Sequence, residues 1–147
     1  MSKMRQIFVD TSFWYAHAFA GDAHHREAVA FLSHVPAPLV TSNFVFNELM
    51  TILRYDFGHH VAVKYGKHLR ESKICTLVRL NTADEETAWA LFLKHSDQNF
   101  SFTDCTSFAL MRRLGINEAA AFDGHFDAAG FTRLPAVPLR KKPPKRR

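Results

Sequence analysis

An α/β domain with a central, mainly parallel sheet and helices on both faces is what this sequence predicts, and three observations predict it. Short apolar runs of strand character recur at residues 6–9, 39–40, 76–80 and 119–122. Stretches with apolar residues at helical spacing lie between successive runs, the signature of repeated strand–helix–strand units. The 147 residues, with a hydrophobic content of 47%, suffice for one domain with one core.

Residues 6–9 form the first strand. Phe13, Trp14, Tyr15 and Phe19 read as a helix packed on it and ending near Gly21. Asp22 is a candidate N-cap for the next helix, whose Ala28, Phe31, Leu32 and Val35 fall at i, i+3, i+4 and i+7 before Pro36 and Pro38. Leu39 and Val40 open a second strand that leads through Thr41, Ser42 and Asn43 towards Glu48, where helical spacing resumes at Leu49, Ile52 and Leu53. A helix over 60–71, a strand over 76–80, and a helix opened by Asp84, Glu85 and Glu86 and bearing Trp89, Phe92 and Leu93 follow. Residues 96–100 are a loop. The next helix starts near Thr103, turns Phe108, Met111 and Leu114 inward and stops at Gly115. Residues 119–122 form a strand, Gly124 marks a loop, and a short last strand lies near 131–134.

The net charge of +5 is concentrated at one end. Arg140, Lys141, Lys142, Lys145, Arg146 and Arg147 outweigh it, so the rest of the chain is close to neutral. Pro143 and Pro144 interrupt this segment, which predicts a domain over 1–138 and a basic, flexible tail over 139–147. Such a tail adds phosphate affinity or solubility, and by itself it does not establish nucleic-acid binding. No apolar stretch approaches the roughly 20 residues of a membrane span. The three apolar residues before Asp10 are too few for a signal peptide, so the mature chain is expected to begin where the sequence does. Cys75 and Cys105 lack metal-binding spacing and read as reduced thiols of a cytoplasmic protein.

Four acids stand at the edges of apolar runs: Asp10, Glu48, Asp104 and Asp123. A carboxylate beside buried apolar surface is disfavoured unless a cation or hydrogen-bond donors compensate it. Asp10 and Asp123 follow strands, while Glu48 and Asp104 lie at or near helix starts, so all four can face the crevice beyond the C-terminal strand ends. Hydrolysis of a phosphodiester by two metal ions needs several anionic oxygens converging on ions about 4 Å apart. Asp and Glu are the ligands Mg²⁺ and Mn²⁺ prefer. Asp10 and Asp104 take the main ligand roles in this reading, and Glu48 completes the cage or orients water. Thr11, Ser12 and Thr103 offer hydroxyls and N–H groups that can orient a carboxylate or donate to a phosphate. Each acid taken alone reads as an N-cap or turn residue. Four together, with these neighbours, point to a metal site.

The ordered set Phe8-Val9-Asp10-Thr11-Ser12, Asn47-Glu48-Leu49, Ser101-Phe102-Thr103-Asp104-Cys105 and Ala121-Phe122-Asp123-Gly124-His125-Phe126 resembles the PIN-domain nucleases, and looks most like the VapC-type ribonuclease toxins. Asp22, His25 and Ala28 are similar to the Asp-x-x-His-x-x-Ala start of that family's second helix. The resemblance implies a Mg²⁺- or Mn²⁺-dependent endoribonuclease acting on RNA, inhibited by a cognate antitoxin in a type II toxin–antitoxin pair and often a homodimer. It also implies that Asp10, Glu48 and Asp104 are the main acids and Asp123 the more variable fourth, with Asp127 as a competitor. His125 reads as an exposed loop histidine with phosphate contact as the lesser role. His24, His25, His59 and His60 read as surface or packing residues, since adjacent residues on a helix point about 100° apart. An antitoxin is expected to cover an aromatic groove near Phe13, Trp14 and Tyr15 and to present an arginine to the acids.

Other functions fit less well. A haloacid-dehalogenase-like phosphatase needs an Asp two positions after Asp10, where Ser12 stands, and no glycine-rich phosphate loop is present. A catalytically silent PIN-like module that binds RNA or protein would be favoured by loss of a central acid, and none is lost.

Overall fold

In the computed structural model, residues 4–138 are described, so the expected tail at 139–147 lies outside the described residues. The elements in order are β1 (Ile7–Val9), α1 (Thr11–Ala18), α2 (His25–Ser33), β2 (Leu39–Ser42), α3 (Asn43–Phe57) and α4 (His59–Glu71). They continue with β3 (Cys75–Val78), α5 (Thr82–Lys94), α6 (Phe102–Leu114), β4 (Glu118–Ala120), α7 (His125–Ala128) and β5 (Thr132–Leu134). Ile7, Phe8 and Val9 are all fully buried. Successive strand side chains point to opposite faces, so helices must cover both sides of β1.

The five strands are all parallel, in the order β3-β2-β1-β4-β5. The chain builds outward from β1 to β2 and β3, then returns to add β4 and β5 on the other side. That reversal makes a switch point between β1 and β4, where an open parallel sheet leaves a crevice beyond its strand ends. Pairing continues past β1, because the Asp10 N–H donates to the Ala120 carbonyl at 3.0 Å. Thr41 of β2 holds the other side of β1, donating to the Val9 carbonyl at 2.9 Å.

Several local expectations change. α1 ends at Ala18, earlier than Gly21, because the backbone turns extended at Phe19, with φ −112° and ψ 108°, and the Phe19 ring then folds over Gly21, where an added Cβ would clash with it. Asp22 does not cap α2. It makes a turn in which its Oδ1 accepts the His24 N–H at 2.8 Å, and the helix starts at His25. α3 starts at Asn43, because the Ser42 side chain caps it by accepting the Val45 N–H, so Glu48 stands in its second turn. α5 buries Ala88 and Leu91 and leaves Trp89, Phe92 and Leu93 substantially exposed. α7 occupies part of the expected loop after Gly124.

Phe13 and Trp14 are core residues, and the Tyr15 hydroxyl donates to Asp56 Oδ2 at 2.7 Å. The expected antitoxin groove at these aromatics is therefore corrected: alternate faces of α1 are consumed by packing, leaving no exposed aromatic surface at Phe13 or Trp14. Among the described residues, no helix is long and apolar enough to cross a membrane.

Candidate active site

Asp10 is the N-cap of α1, with extended backbone at φ −85° and ψ 162°. Its Oδ2 accepts the Ser12 N–H at 3.2 Å and the Ser12 hydroxyl at 2.7 Å. The Ser12 Oγ in turn accepts the Phe122 N–H at 3.0 Å. One hydroxyl thus ties the acid after β1 to the segment that leads from β4 into Asp123. Phe122 is clamped on both sides, its ring stacked on Phe13 with centroids 5.5 Å apart and on His24 at 4.5 Å. This clamp fixes the backbone on which Asp123 follows.

Asp104 enters from α6. Ser101 and Asp104 close a capping box: the Ser101 N–H donates to Asp104 Oδ2 at 2.9 Å and the Asp104 N–H donates to Ser101 Oγ at 3.0 Å. The box sets the carboxylate at the helix N-terminus, where backbone N–H groups favour negative charge. His125, at the start of α7, places Nδ1 2.7 Å from Asp104 Oδ2 and 3.7 Å from Asp123 Oδ1. Its own backbone N–H donates to Asp123 Oδ1 at 3.0 Å.

The carboxylates feel each other. Burial pushes the Asp10 carboxyl well above its ordinary range, and the charges of Asp123 and Asp104 push it further, against the hydrogen bonds from Ser12. Asp123 is raised by the same two causes, burial first and then Asp104. Among the described residues, no Lys or Arg forms an ion pair with any of the three. Thr11 carries a buried hydroxyl without a hydrogen-bond partner among them. Carboxylates that repel one another, unaccompanied by Arg or Lys, form a donor set chemically suited to a divalent cation.

Asp10, Asp104 and Asp123 are therefore brought together, from segments that span most of the chain. Glu48 is half-buried on α3 and shows no side-chain hydrogen bond or ion pair with any described residue, and its charge is not among those that raise Asp10 or Asp123. Phe44, one turn earlier on the same α3 face, packs edge-on against Phe102 of α6, with centroids 6.3 Å apart, which aims that face towards the Asp104 helix. Asp127 is held elsewhere, its Oδ2 accepting from Arg133 Nε at 2.9 Å. Thr103 is half-buried at the start of α6, and its carbonyl accepts the Thr106 hydroxyl at 2.6 Å. His125 is not an exposed loop residue. Its side chain is 22% exposed and joins the acids, because α7 turns it inward against Phe100.

The PIN domain family model matches residues 7–132, which include every acid of the cluster. The chain belongs to the PIN domain family. The 23S rRNA-specific endonuclease VapC20 of Mycobacterium tuberculosis, from strains CDC 1551 / Oshkosh and ATCC 25618 / H37Rv, is 45% identical over 131 residues, spanning 87% of this chain and 97% of that protein. The crystal structure of Mycobacterium tuberculosis VapC20, a Sarcin-Ricin loop cleaving toxin, matches with a TM-score of 0.81 at 44% identity, over 86% of this chain and 96% of that one. FitAcB from Neisseria gonorrhoeae has a similar fold, with a TM-score of 0.63 at 15% identity over 86% of this chain and 95% of that one. The expected fold class and family are thus both met.

Proposed function

We propose that this PIN domain is a metal-dependent endoribonuclease and the toxin of a type II toxin–antitoxin pair. The observation that carries the reading is the meeting of Asp10, Asp104 and Asp123 at the switch point without Lys or Arg partners among the described residues. The likeness to a 23S rRNA-specific endonuclease over nearly its whole length supports RNA as the substrate, with structured ribosomal RNA first among candidates.

Asp10 and Asp104 are the main ligands of Mg²⁺ or Mn²⁺, Asp123 is the fourth acid of the set, and Glu48 completes it from α3. When bound, the cation supplies charge neutralisation at the phosphate and acidifies the attacking water. Ser12 fixes the Asp10 carboxylate before substrate arrives, and the Ser101 capping box does the same for Asp104. Thr11 and Thr103 lie beside these acids at helix starts, where a hydroxyl or N–H can donate to a phosphate oxygen. The phosphodiester opens by in-line attack, and the products carry 5′-phosphate and 3′-hydroxyl ends.

A cognate antitoxin that presents an arginine to the three carboxylates would silence the enzyme by giving them the cation they lack. The active form is a cytoplasmic homodimer in this reading.

The test is cleavage of RNA by the purified protein with Mg²⁺ or Mn²⁺ and with EDTA. Metal-dependent cleavage, lost in Asp10→Ala and Asp104→Ala proteins that remain folded, is the expected result. RNA binding without cleavage in either metal would replace the enzyme with a silent RNA-binding module.

A further inference from the structure

His125 stands within the acid cluster at ligand-like spacing. One oxygen each from Asp104 and Asp123 and one ring nitrogen of His125 all lie within 4.8 Å of one another. For an octahedral ion about 2.1 Å from its ligands, donor atoms at adjacent corners are about 3 Å apart and those at opposite corners about 4 Å. The His125 Nδ1 separation of 3.7 Å to Asp123 falls within that range, and the 2.7 Å contact with Asp104, a direct ion pair, needs to open by only a few tenths of an ångström to admit a shared ion.

The ring is also braced. Its backbone N–H is held by Asp123 Oδ1, and its edge meets Phe100 with centroids 5.8 Å apart. Phe100 is itself locked against core residue Phe108 at 5.0 Å. Preorganisation of this kind lowers the ordering cost of ligation. Phe126, next in sequence, is fully buried and anchors α7 from the other side.

Resting on the nuclease reading above, we propose that His125 is a ligand of the catalytic cation, beside Asp104 and Asp123, and that its nitrogen biases the site towards Mn²⁺ over Mg²⁺. Imidazole suits first-row transition ions, whereas Mg²⁺ takes oxygen ligands and retains water. A site built only from carboxylates has no such bias. His125 is thereby a specificity-determining residue for the metal.

The experiment loads the full-length protein with Mn²⁺ and records electron spin echo envelope modulation, with Mn²⁺ and Mg²⁺ affinities measured in parallel by calorimetry. The wild type is expected to show nitrogen modulation from a directly bound imidazole. His125→Gln is expected to lose it, with Mn²⁺ affinity falling by about 10-fold or more and Mg²⁺ affinity falling less. His125→Asn serves as the second variant should the first fold poorly. Bound Mn²⁺ without nitrogen modulation in the wild type, or equal losses for both ions in the variant, would overturn the inference and leave the nuclease reading intact. Failure of the wild type to bind either ion would overturn the nuclease reading and this inference with it.

Discussion

Asp84 and Asp104 each occupy the third position of a helix, each close a capping box with the residue three before, and are 3% and 6% exposed. They differ in what lies across from them. Arg113 of α6 donates to both oxygens of Asp84, at 2.6 and 2.8 Å. Burial alone would raise the Asp84 carboxyl, but Arg113 and the Asn81 N–H outweigh it and hold the group below its ordinary range. Asp104 faces Asp10, Asp123 and His125 instead, and its charge helps raise the carboxyls of the first two. A cap with an arginine ties two helices together. A cap that faces other acids, with one histidine among them, gathers negative charge, which is the state a divalent cation relieves.

The sharpest way to break this contrast is to neutralise one aspartate at a time. Asp104→Asn keeps a capping oxygen and should cut RNA cleavage by about 1000-fold, the equivalent of roughly 4 kcal/mol of transition-state stabilisation. Its metal-free melting temperature should stay level or rise, because a repelling charge is gone. A Tm drop matching the lost activity would mean that Asp104 is structural.

Asp84→Ala should do the reverse. It leaves Arg113 without its carboxylate and the Asn81 N–H without its capping acceptor, and should be destabilising. Calorimetry should show Tm falling, with cleavage retained below the transition.

Ser12→Ala tests the link between the first and last acids, since Ser12 Oγ joins Asp10 to the Phe122 N–H. Mn²⁺ affinity or cleavage rate should fall by about 10- to 100-fold, as for other residues that orient ligands.

The smallest effect expected is in the pH dependence of metal-free stability, where the two kinds of site have opposite signs. Asp10 and Asp123 have raised values, so their contribution is complete below the unfolded value near 3.8 and is lost as pH rises through the folded values. Asp84 is depressed, so its contribution is present above 3.8 and is lost as pH falls through its folded value. Tm measured against pH in EDTA should therefore fall less steeply towards neutrality in Asp10→Asn than in the wild type. Equal slopes would argue that neither burial nor the neighbouring acids raise the Asp10 carboxyl in the folded protein.

The acids at 10, 104 and 123 were legible because each interrupts an apolar run, and an apolar run that ends in a charge marks a strand or helix end. Capping and clustering, which compete as explanations in the sequence, coexist at Asp10 and Asp104: both cap helices, and the charges of Asp104 and Asp123 raise the Asp10 carboxyl. The partner of Asp84 was not legible, because Arg113 lies a helix away and nothing local pairs them. The inward placement of His125 was hidden for a similar reason: its brace, Phe100, comes from a loop before α6, and Gly124 suggested a turn open to solvent. A usable signal was nonetheless present in Asp123-Gly124-His125-Phe126, where an Asx turn followed by a buried aromatic directs the intervening histidine inward. Trp89 and Phe92 show the limit of periodicity, since apolar residues on α5 define a side of the helix without saying whether the core or solvent meets it.

The strand order also governs when, during synthesis, the acid cluster can form. Asp10 emerges early in synthesis, but its neighbours Asp104 and Asp123 come last, and β4 must slot beside β1 before they meet. A ribosome-bound fragment that stops short of β4 carries one acid of the trio, or two that lack the strand needed to align them. Topology thus ties assembly of the cluster to docking of the sheet: the three acids cannot align before β4 has paired beside β1.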